Sequence, residues 1–166
     1  LVGEMGVAAV EGLQGEGHAR DLRPGKVFAT LKHLTGHGQP ESGTNVGPAP
    51  VSERELRENF FPPFAQVVKR TGINAVMASY NEIDGVPATA STYLQRDILK
   101  GAWDYKGFMV SDWGSIAELI PHGYAEDKMQ AGELAVIAGS DMDMEGRVYE
   151  EALEPLVNDN TIDEAL

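Results

Sequence analysis

A carboxylate placed directly after an apolar run is the first residue of chemical interest. The stretch GFMVSDWGSI (107–116) leads from Phe108–Val110 through Ser111 to Asp112 and Trp113. A carboxylate at the C-terminal end of a strand is held by rigid backbone and faces the ligand side of parallel βα folds. Such a group could attack a sugar's anomeric carbon, while the indole offers a plane for the sugar ring. The pattern equally allows Asp112 to cap a helix and Trp113 to be core.

Three further residue types could contact a ligand at strand ends. Lys32 and His33 close a second apolar run and could donate hydrogen bonds to hydroxyl groups. Lys32 would also favour the ionised form of a nearby aspartate. Adjacent strand residues face opposite sides, so a buried histidine beside a snorkelling lysine is the alternative. Tyr80 precedes a polar loop and could hydrogen-bond a ligand, whereas a strand methionine such as Met77 is usually core.

Cofactor motifs are weak in this sequence. His33, His37 and Glu41 are four residues apart, which on a helix would suggest metal ligands. The intervening glycines and Pro40 make a helix there implausible, so we expect no metal site. ESGTNVG lacks the strand and helix that surround a dinucleotide-binding glycine motif. We therefore predict no cofactor.

The elements that would position these residues alternate between strand and helix. Apolar runs without strict alternation suit parallel strands buried on both faces. Polar residues end each run, including Asp141 and Asp143, and we expect them on the ligand side of the sheet. The predicted strands are KVFATLKHL (26–34), INAVMASYN (73–81), GFMVSDW (107–113) and, more weakly, AGSDMDM (138–144). The predicted helices are LVGEMGVAAV (1–10), the region from the capping box of VSEREL (51–56) to Gly72, STYLQRDILKGAW (91–103), AEDKMQAGELAVIAG (125–139) and RVYEEALEPLV (147–157).

Size and charge limit the fold and the partners. The 166 residues include 13 basic and 26 acidic side chains, giving a net charge of -13, so we expect no nucleic-acid partner. No apolar run approaches the roughly 20 residues of a membrane span, so we expect no membrane partner. A closed (β/α)8 barrel takes about 250 residues. We therefore predict an α/β fold in which residues 1–166 form about half of one TIM-type catalytic barrel, with upstream strands and any C-terminal domain absent.

Several motifs together resemble one enzyme family. LKHLTGHGQPESGTN, VMASYNEIDGVP and GFMVSDWGSI, in this order, are similar to glycoside hydrolase family 3, the β-glucosidase and β-xylosidase type. AGSDMDM and EGLQGEG (11–17) fit the same pattern.

The resemblance implies roles for six residues. It implies that Asp112 is the catalytic nucleophile, with Trp113 beside it. It also implies that Lys32 and His33 bind substrate hydroxyls, and that the sugar subsite is lined by Met77 and Tyr80. The family's upstream aspartate and arginine would precede Leu1, and no residue here matches its acid/base carboxylate.

The resemblance thus implies a retaining exo-β-glycosidase acting on terminal β-linked glucosyl or xylosyl residues through a covalent glycosyl-aspartate. We expect this chain alone to be inactive, because the second carboxyl group is missing. Two alternatives stay open: a barrel lyase or aldolase using Lys32 as a Schiff base, and a non-catalytic carbohydrate-binding remnant. The expected partners are a small oligosaccharide or β-glycoside and the missing parts of the parent chain. The family has secreted, periplasmic and cytoplasmic members, so the sequence predicts no location.

Overall fold

The structure is a computed structural model that describes residues 1–16 and 22–166. Gly17, the last residue of the EGLQGEG motif, lies outside the described residues. In chain order the elements are α1 (Val2–Gln14), β1 (Thr30–Leu34), β2 (Pro48–Ala49), α2 (Glu53–Glu55), a π-helical segment (Leu56–Phe60), α3 (Phe61–Arg70), β3 (Ala75–Ala78), β4 (Glu82–Ile83), β5 (Val86–Pro87), a π-helix (Tyr93–Ala102), β6 (Phe108–Val110), α4 (Lys128–Ala138) and α5 (Val148–Asn158). Short 3₁₀ turns lie at Glu41–Gly43, Ala88–Ala90 and Ala117–Leu119.

The main sheet is parallel and has the order β1-β3-β6. Val76 of β3 lies opposite Leu31 of β1 on one side and Met109 of β6 on the other. Beyond β6, the fourth predicted strand contributes one parallel bridge, between Val110 and Met142. The predicted α/β architecture, with parallel strands and helices alternating as in part of a barrel, is confirmed. The strands are shorter than predicted, and the fourth is only a bridge.

The helices begin and end where local chemistry predicts. Ser52 and Glu55 form the predicted capping box at the start of α2. Pro62 and Pro63 lie in the first turn of α3, where missing N–H groups cost little. The helix changes there from π to α and is not broken, because Phe60 and Phe61 keep helical backbone angles. This helix ends at Arg70 without a left-handed glycine, because the hydroxyl of Thr71 donates to the carbonyl of Val67.

A second, small sheet occupies what the sequence suggested were only polar loops. Strand β4 pairs in parallel with β2 and antiparallel with β5. Asp84 and Gly85 turn the β4–β5 hairpin with φ values of 54° and 77°. These left-handed conformations suit a two-residue hairpin turn, for which Asp-Gly is a common sequence.

Two apolar clusters support the sheet. The first cluster contains Val76, Ala78 and Met109 of the sheet together with residues of α1, α3 and the π-helix Tyr93–Ala102. The second joins α4 and α5 with Ile116 and Leu119, which are fully buried in the stretch after β6. We call residues 111–124 the post-β6 segment. None of the described helices is long and apolar enough to cross a membrane.

Candidate functional site

The turn that carries Asp112 is fixed by backbone contacts to the fourth run. The buried Ser111 hydroxyl donates to the carbonyl of Asp112 at 2.9 Å and accepts from the backbone N–H of Met144 at 2.8 Å. The N–H of Gly114 donates to the carbonyl of Met144 at 2.7 Å. The orientation of Asp112 therefore depends on the segment that follows α4.

The Asp112 carboxylate has one oxygen held by backbone and one oxygen facing another strand. Its Oδ1 accepts from the backbone N–H of Trp113 at 2.7 Å, whereas Oδ2 lies 3.4 Å from Nε2 of His33. The side chain is 13% exposed. Ser115 donates its N–H to the main-chain oxygen of Asp112 rather than to the carboxylate. The described contacts thus give no support to the alternative in which Asp112 caps a helix.

The end of β1 brings His33 to this carboxylate, and Lys32 and His37 lie close to His33. The rings of His33 and His37 are stacked, with centroids 4.1 Å apart and planes 28° from parallel. Burial is the main cause that lowers the pKa of His33; the charges of His37 and Lys32 lower it further, and Asp112 opposes them. Lys32 itself is exposed. Because the lowering causes prevail, the neutral imidazole is the form favoured beside Asp112.

His33, His37 and Glu41, whose spacing resembles that of metal ligands on a helix, do not form a cluster. Glu41 starts an exposed 3₁₀ turn, and the two histidine rings are stacked face to face. In the part of the chain that the structure describes, no three His, Cys, Asp or Glu side chains are grouped as they would be around an ion.

Tyr80 and Trp113 meet next to the carboxylate. The Tyr80 phenol donates a short hydrogen bond to the carbonyl of Trp113. Burial raises the pKa of Tyr80, with smaller contributions from the negative charges of Asp112 and Glu118. The phenol is therefore a hydrogen donor at neutral pH. The Trp113 side chain is 62% exposed, so its indole is not core.

Met77 lies on the face of β3 opposite the helices. Val76 and Ala78 on either side of it belong to the first apolar cluster. Since strand residues alternate between faces, Met77 points away from that cluster, together with its register partner Val110. Met77 is nevertheless buried, and its contact with a sugar stays a prediction.

Asp141 lies at the N-terminal ends of the strands, which corrects the expectation that it lies on the ligand side, whereas the expectation for Asp143 stays a prediction. Both oxygens of Asp141 are within 2.9 Å of the Lys100 ammonium, and one accepts from the backbone N–H of Met109 at 2.6 Å. Asp143 accepts from the N–H groups of Val148 and Tyr149 at 2.7 and 3.3 Å, which places it at the start of α5. Both oxygens of Asp141 are thus bound, whereas Asp143 is bound through Oδ2 alone and its Oδ1 is buried without a hydrogen-bond partner.

Sequence reasoning missed one pair of residues near the site. Glu82 of β4 and His122 of the post-β6 segment approach to 2.9 Å. Glu82 lies within the motif VMASYNEIDGVP, which assigns it no role, whereas His122 lies outside the quoted motifs, 40 positions along the chain. The available signal was the Asp84-Gly85 dipeptide, which predicts the hairpin that presents Glu82.

Two of the cavities lie away from Asp112. One, of about 570 Å³, lies between the small sheet and the π-helix and is lined partly by Leu56, Ile83 and Tyr93. Another, of about 810 Å³, lies at the N-terminal ends of the strands near Phe28 and Phe108. Asp141 lines the second cavity, and neither cavity is lined by Lys32, His33, Met77, Tyr80, Asp112 or Trp113.

Comparison with known proteins identifies relatives for the whole chain. The family model described as "Glycosyl hydrolase family 3 N terminal domain" matches residues 1–166. A β-xylosidase from Formosa agariphila is 41% identical over 145 residues, which are 87% of this chain and 20% of that protein. A periplasmic β-glucosidase from Salmonella typhimurium is 33% identical over 162 residues, which are 98% of this chain and 21% of that protein. The chain thus spans about a fifth of the length of these curated relatives.

Solved structures with the same arrangement include a β-glucosidase from Listeria innocua. Its crystal structure in complex with isofagomine superposes with a TM-score of 0.93 at 32% identity, covering 98% of this chain and 23% of that one. The same enzyme has been solved in complex with glucose, with the same TM-score. An exo-β-xylosidase in complex with a xylobiose aziridine probe superposes with a TM-score of 0.87 at 27% identity.

Proposed function

Because the chain belongs to glycosyl hydrolase family 3, we propose that it forms part of the catalytic barrel of a retaining exo-β-glycosidase. The substrate would be a small oligosaccharide or β-glycoside with a terminal β-linked glucosyl or xylosyl residue. The observation that carries the proposal is the carboxylate of Asp112, which the backbone binds at only one of its two oxygens. One of its oxygens is bound by a backbone N–H at 2.7 Å, and the other lies 3.4 Å from Nε2 of His33 at the C-terminal ends of parallel strands.

In this proposal Asp112 attacks the anomeric carbon of the bound sugar. A carbon–oxygen bond to the carboxylate forms as the bond to the departing sugar or alcohol breaks, and a carboxylic acid elsewhere in the parent chain gives its proton to the departing oxygen. In the second step that other residue, now a carboxylate, removes a proton from water. The water oxygen bonds to the anomeric carbon as the bond between this carbon and Asp112 breaks. Each step inverts the configuration at the anomeric carbon, so the two steps together retain it.

The neighbouring residues would bind and orient the sugar. Lys32 is exposed and carries a cationic donor, while neutral His33 can donate to one hydroxyl and accept from another. The exposed indole of Trp113 offers a flat apolar surface beside the nucleophile. Tyr80 holds the carbonyl of Trp113, and Met77 would line the sugar site from β3.

The remainder of the barrel would come from other parts of a longer chain. The main sheet has three strands and one bridge, against the eight strands of a closed barrel. In retaining enzymes the two carboxyl groups lie about 5–5.5 Å apart, so Asp112 needs a partner that we place in the missing part. We therefore expect residues 1–166 alone to be inactive.

Covalent labelling of the full-length protein that contains this chain tests the proposal. A 2-fluoro β-glucoside or β-xyloside should add one sugar to the peptide containing Asp112, and Asp112→Asn should remove the label. Comparing nitrophenyl β-glucoside and β-xyloside turnover would identify the sugar.

The same experiment separates the alternatives. Borohydride trapping of a carbonyl substrate on Lys32 would favour a lyase. Sugar binding that survives Asp112→Ala, without any label in the wild type, would favour a binding remnant.

A further inference from the structure

Glu82 and His122 join the small sheet to the segment that carries Asp112. The Nδ1–H of His122 donates to Oε1 of Glu82 at 2.9 Å. Only 11% of the His122 side chain and 24% of the Glu82 side chain is exposed. A polar contact with this degree of burial is costly to break, because the released groups are only partly rehydrated.

On the Glu82 side, the small sheet is tied to the end of β1. Glu82 sits in β4, paired with both β2 and β5. The preceding residue, Asn81, is fully buried, and its side-chain amide donates to the carbonyl of Thr35 at 3.1 Å. Ser79 donates to the same carbonyl at 3.0 Å. Glu82 therefore extends from backbone that is fixed relative to Lys32 and His33.

On the His122 side, the post-β6 segment is held at two other places. Its middle is buried through Ile116 and Leu119, and its start is bound by Tyr80 through the carbonyl of Trp113. The backbone N–H of His122 donates to the carbonyl of Glu118 at 3.1 Å, so its end is a compact turn. The contact with Glu82 fixes this turn against the same strand end that supplies Tyr80.

We propose that Glu82 and His122 are positioning residues that set the placement of Asp112 and Trp113 relative to Lys32 and His33. This inference rests on the proposed glycosidase function. The two residues connect, through rigid backbone, the strand end that would bind sugar hydroxyls and the segment that would attack the sugar. A displacement of about 1 Å between such groups can cost roughly 100-fold in rate.

The test uses the full-length protein and four variants: Glu82→Ala, His122→Ala, the double variant and the conservative Glu82→Gln. We expect each alanine variant to lower kcat by about ten- to 100-fold with less than about a threefold change in KM, because positioning acts mainly on the transition state. The double variant should lose no more than a single one, since the contact is shared. Glu82→Gln keeps an acceptor oxygen and should recover most of the rate.

Lys128→Ala is the matched control. Lys128 and Glu151 form a 2.7 Å ion pair between α4 and α5. Among the described bonds, this pair makes none to the post-β6 segment. It should change Tm at most slightly and leave kcat unchanged. A purely structural role for Glu82 would lower Tm but leave the kcat of the folded enzyme intact, or would give additive losses in the double variant. Either result would overturn the positioning role.

The outcomes also separate this inference from the proposed function. If the wild type hydrolyses β-glycosides and Asp112→Asn abolishes hydrolysis, but Glu82→Ala behaves as wild type, only the positioning role fails. If the wild type shows no hydrolysis and no covalent label, the proposed function itself fails.

Discussion

Two strand ends in this protein present aspartates that look alike in sequence and differ in structure. Asp112 follows β6, and Asp141 and Asp143 follow the next predicted strand. At the second end a lysine, one strand N–H and two helix N–H groups bind the carboxylates. At the first end a single N–H binds Asp112, and its other oxygen is left to the space beside His33. Asp143 also has one oxygen without a partner, but that oxygen is buried, whereas the Asp112 side chain stays partly exposed. A carboxylate is available for chemistry only where an oxygen is both unbound and accessible.

The largest difference should appear when the carboxylate of Asp112 is removed. In the full-length protein, Asp112→Asn should lower turnover of a nitrophenyl β-glycoside by at least about 10³-fold, equivalent to roughly 4 kcal/mol of activation free energy. The amide still accepts from the N–H of Trp113, so we expect the free energy of unfolding to change by less than about 1 kcal/mol. Steady-state kinetics and urea unfolding measure the two quantities. Retained turnover would contradict the assignment of Asp112 as the reactive one among the strand-end aspartates.

Removing the carboxylate of Asp141 should act on stability instead. Asp141→Ala leaves the buried N–H of Met109 without its 2.6 Å acceptor and Lys100 without its ion-pair partner. We expect a loss of about 2 kcal/mol in the free energy of unfolding, because an unsatisfied buried donor costs about 1–3 kcal/mol. Asp141→Asn is the control, since it keeps an acceptor oxygen. A loss of turnover as large as that of Asp112→Asn, without destabilisation, would contradict the structural role.

Asp143 should give a smaller stability effect than Asp141. Asp143→Ala removes the acceptor for the first N–H groups of α5, which typically costs about 1 kcal/mol. Asp143→Asn should restore most of the stability, because asparagine caps helices about as well as aspartate. Thermal unfolding of both variants measures the effect. Equal destabilisation by asparagine and alanine would show that the charge of Asp143, and not its acceptor oxygen, stabilises α5.

The smallest expected effect concerns pH and His33. Because burial lowers the pKa of His33, the unfolded chain binds more protons than the folded one between the lowered value and about 6.5. His33 therefore makes stability fall as pH decreases through this window. Unfolding curves of wild type and His33→Gln at about pH 7 and about pH 5 should show a larger loss on acidification for the wild type. Parallel losses would mean that His33 does not titrate with unfolding.

Sequence patterns predicted where helices and strands occur better than where each one begins and ends. The capping box at Ser52 depends on a neighbour three residues away, and this prediction is confirmed. At Pro62 the helix changes from π to α without a break. The strand over 26–34 is shortened to Thr30–Leu34, because Val27 and Phe28 remain exposed and do not enter the ladder. Apolar character indicates a strand, whereas its length depends on which neighbour is present to pair with it.

The small sheet shows what local patterns omit. Strands β2, β4 and β5 are two residues long, too short to produce a periodic signal. They form because the turn at Asp84-Gly85 folds the chain back, and because tertiary folding brings β2 beside β4. The Glu82–His122 contact follows from this pairing and could not be inferred without it.

For this protein the sequence by itself determined the alternation of strand and helix and which side chains stand at strand ends, because both depend on residue order along a few turns of chain. Only the tertiary structure decided which of those side chains are free. Lys100 binds Asp141 and the start of α5 binds one oxygen of Asp143, while His33 of β1 comes to Asp112 from nearly 80 positions away. Occupied and free carboxylates look the same in sequence, since their partners come from distant segments that only folding brings together.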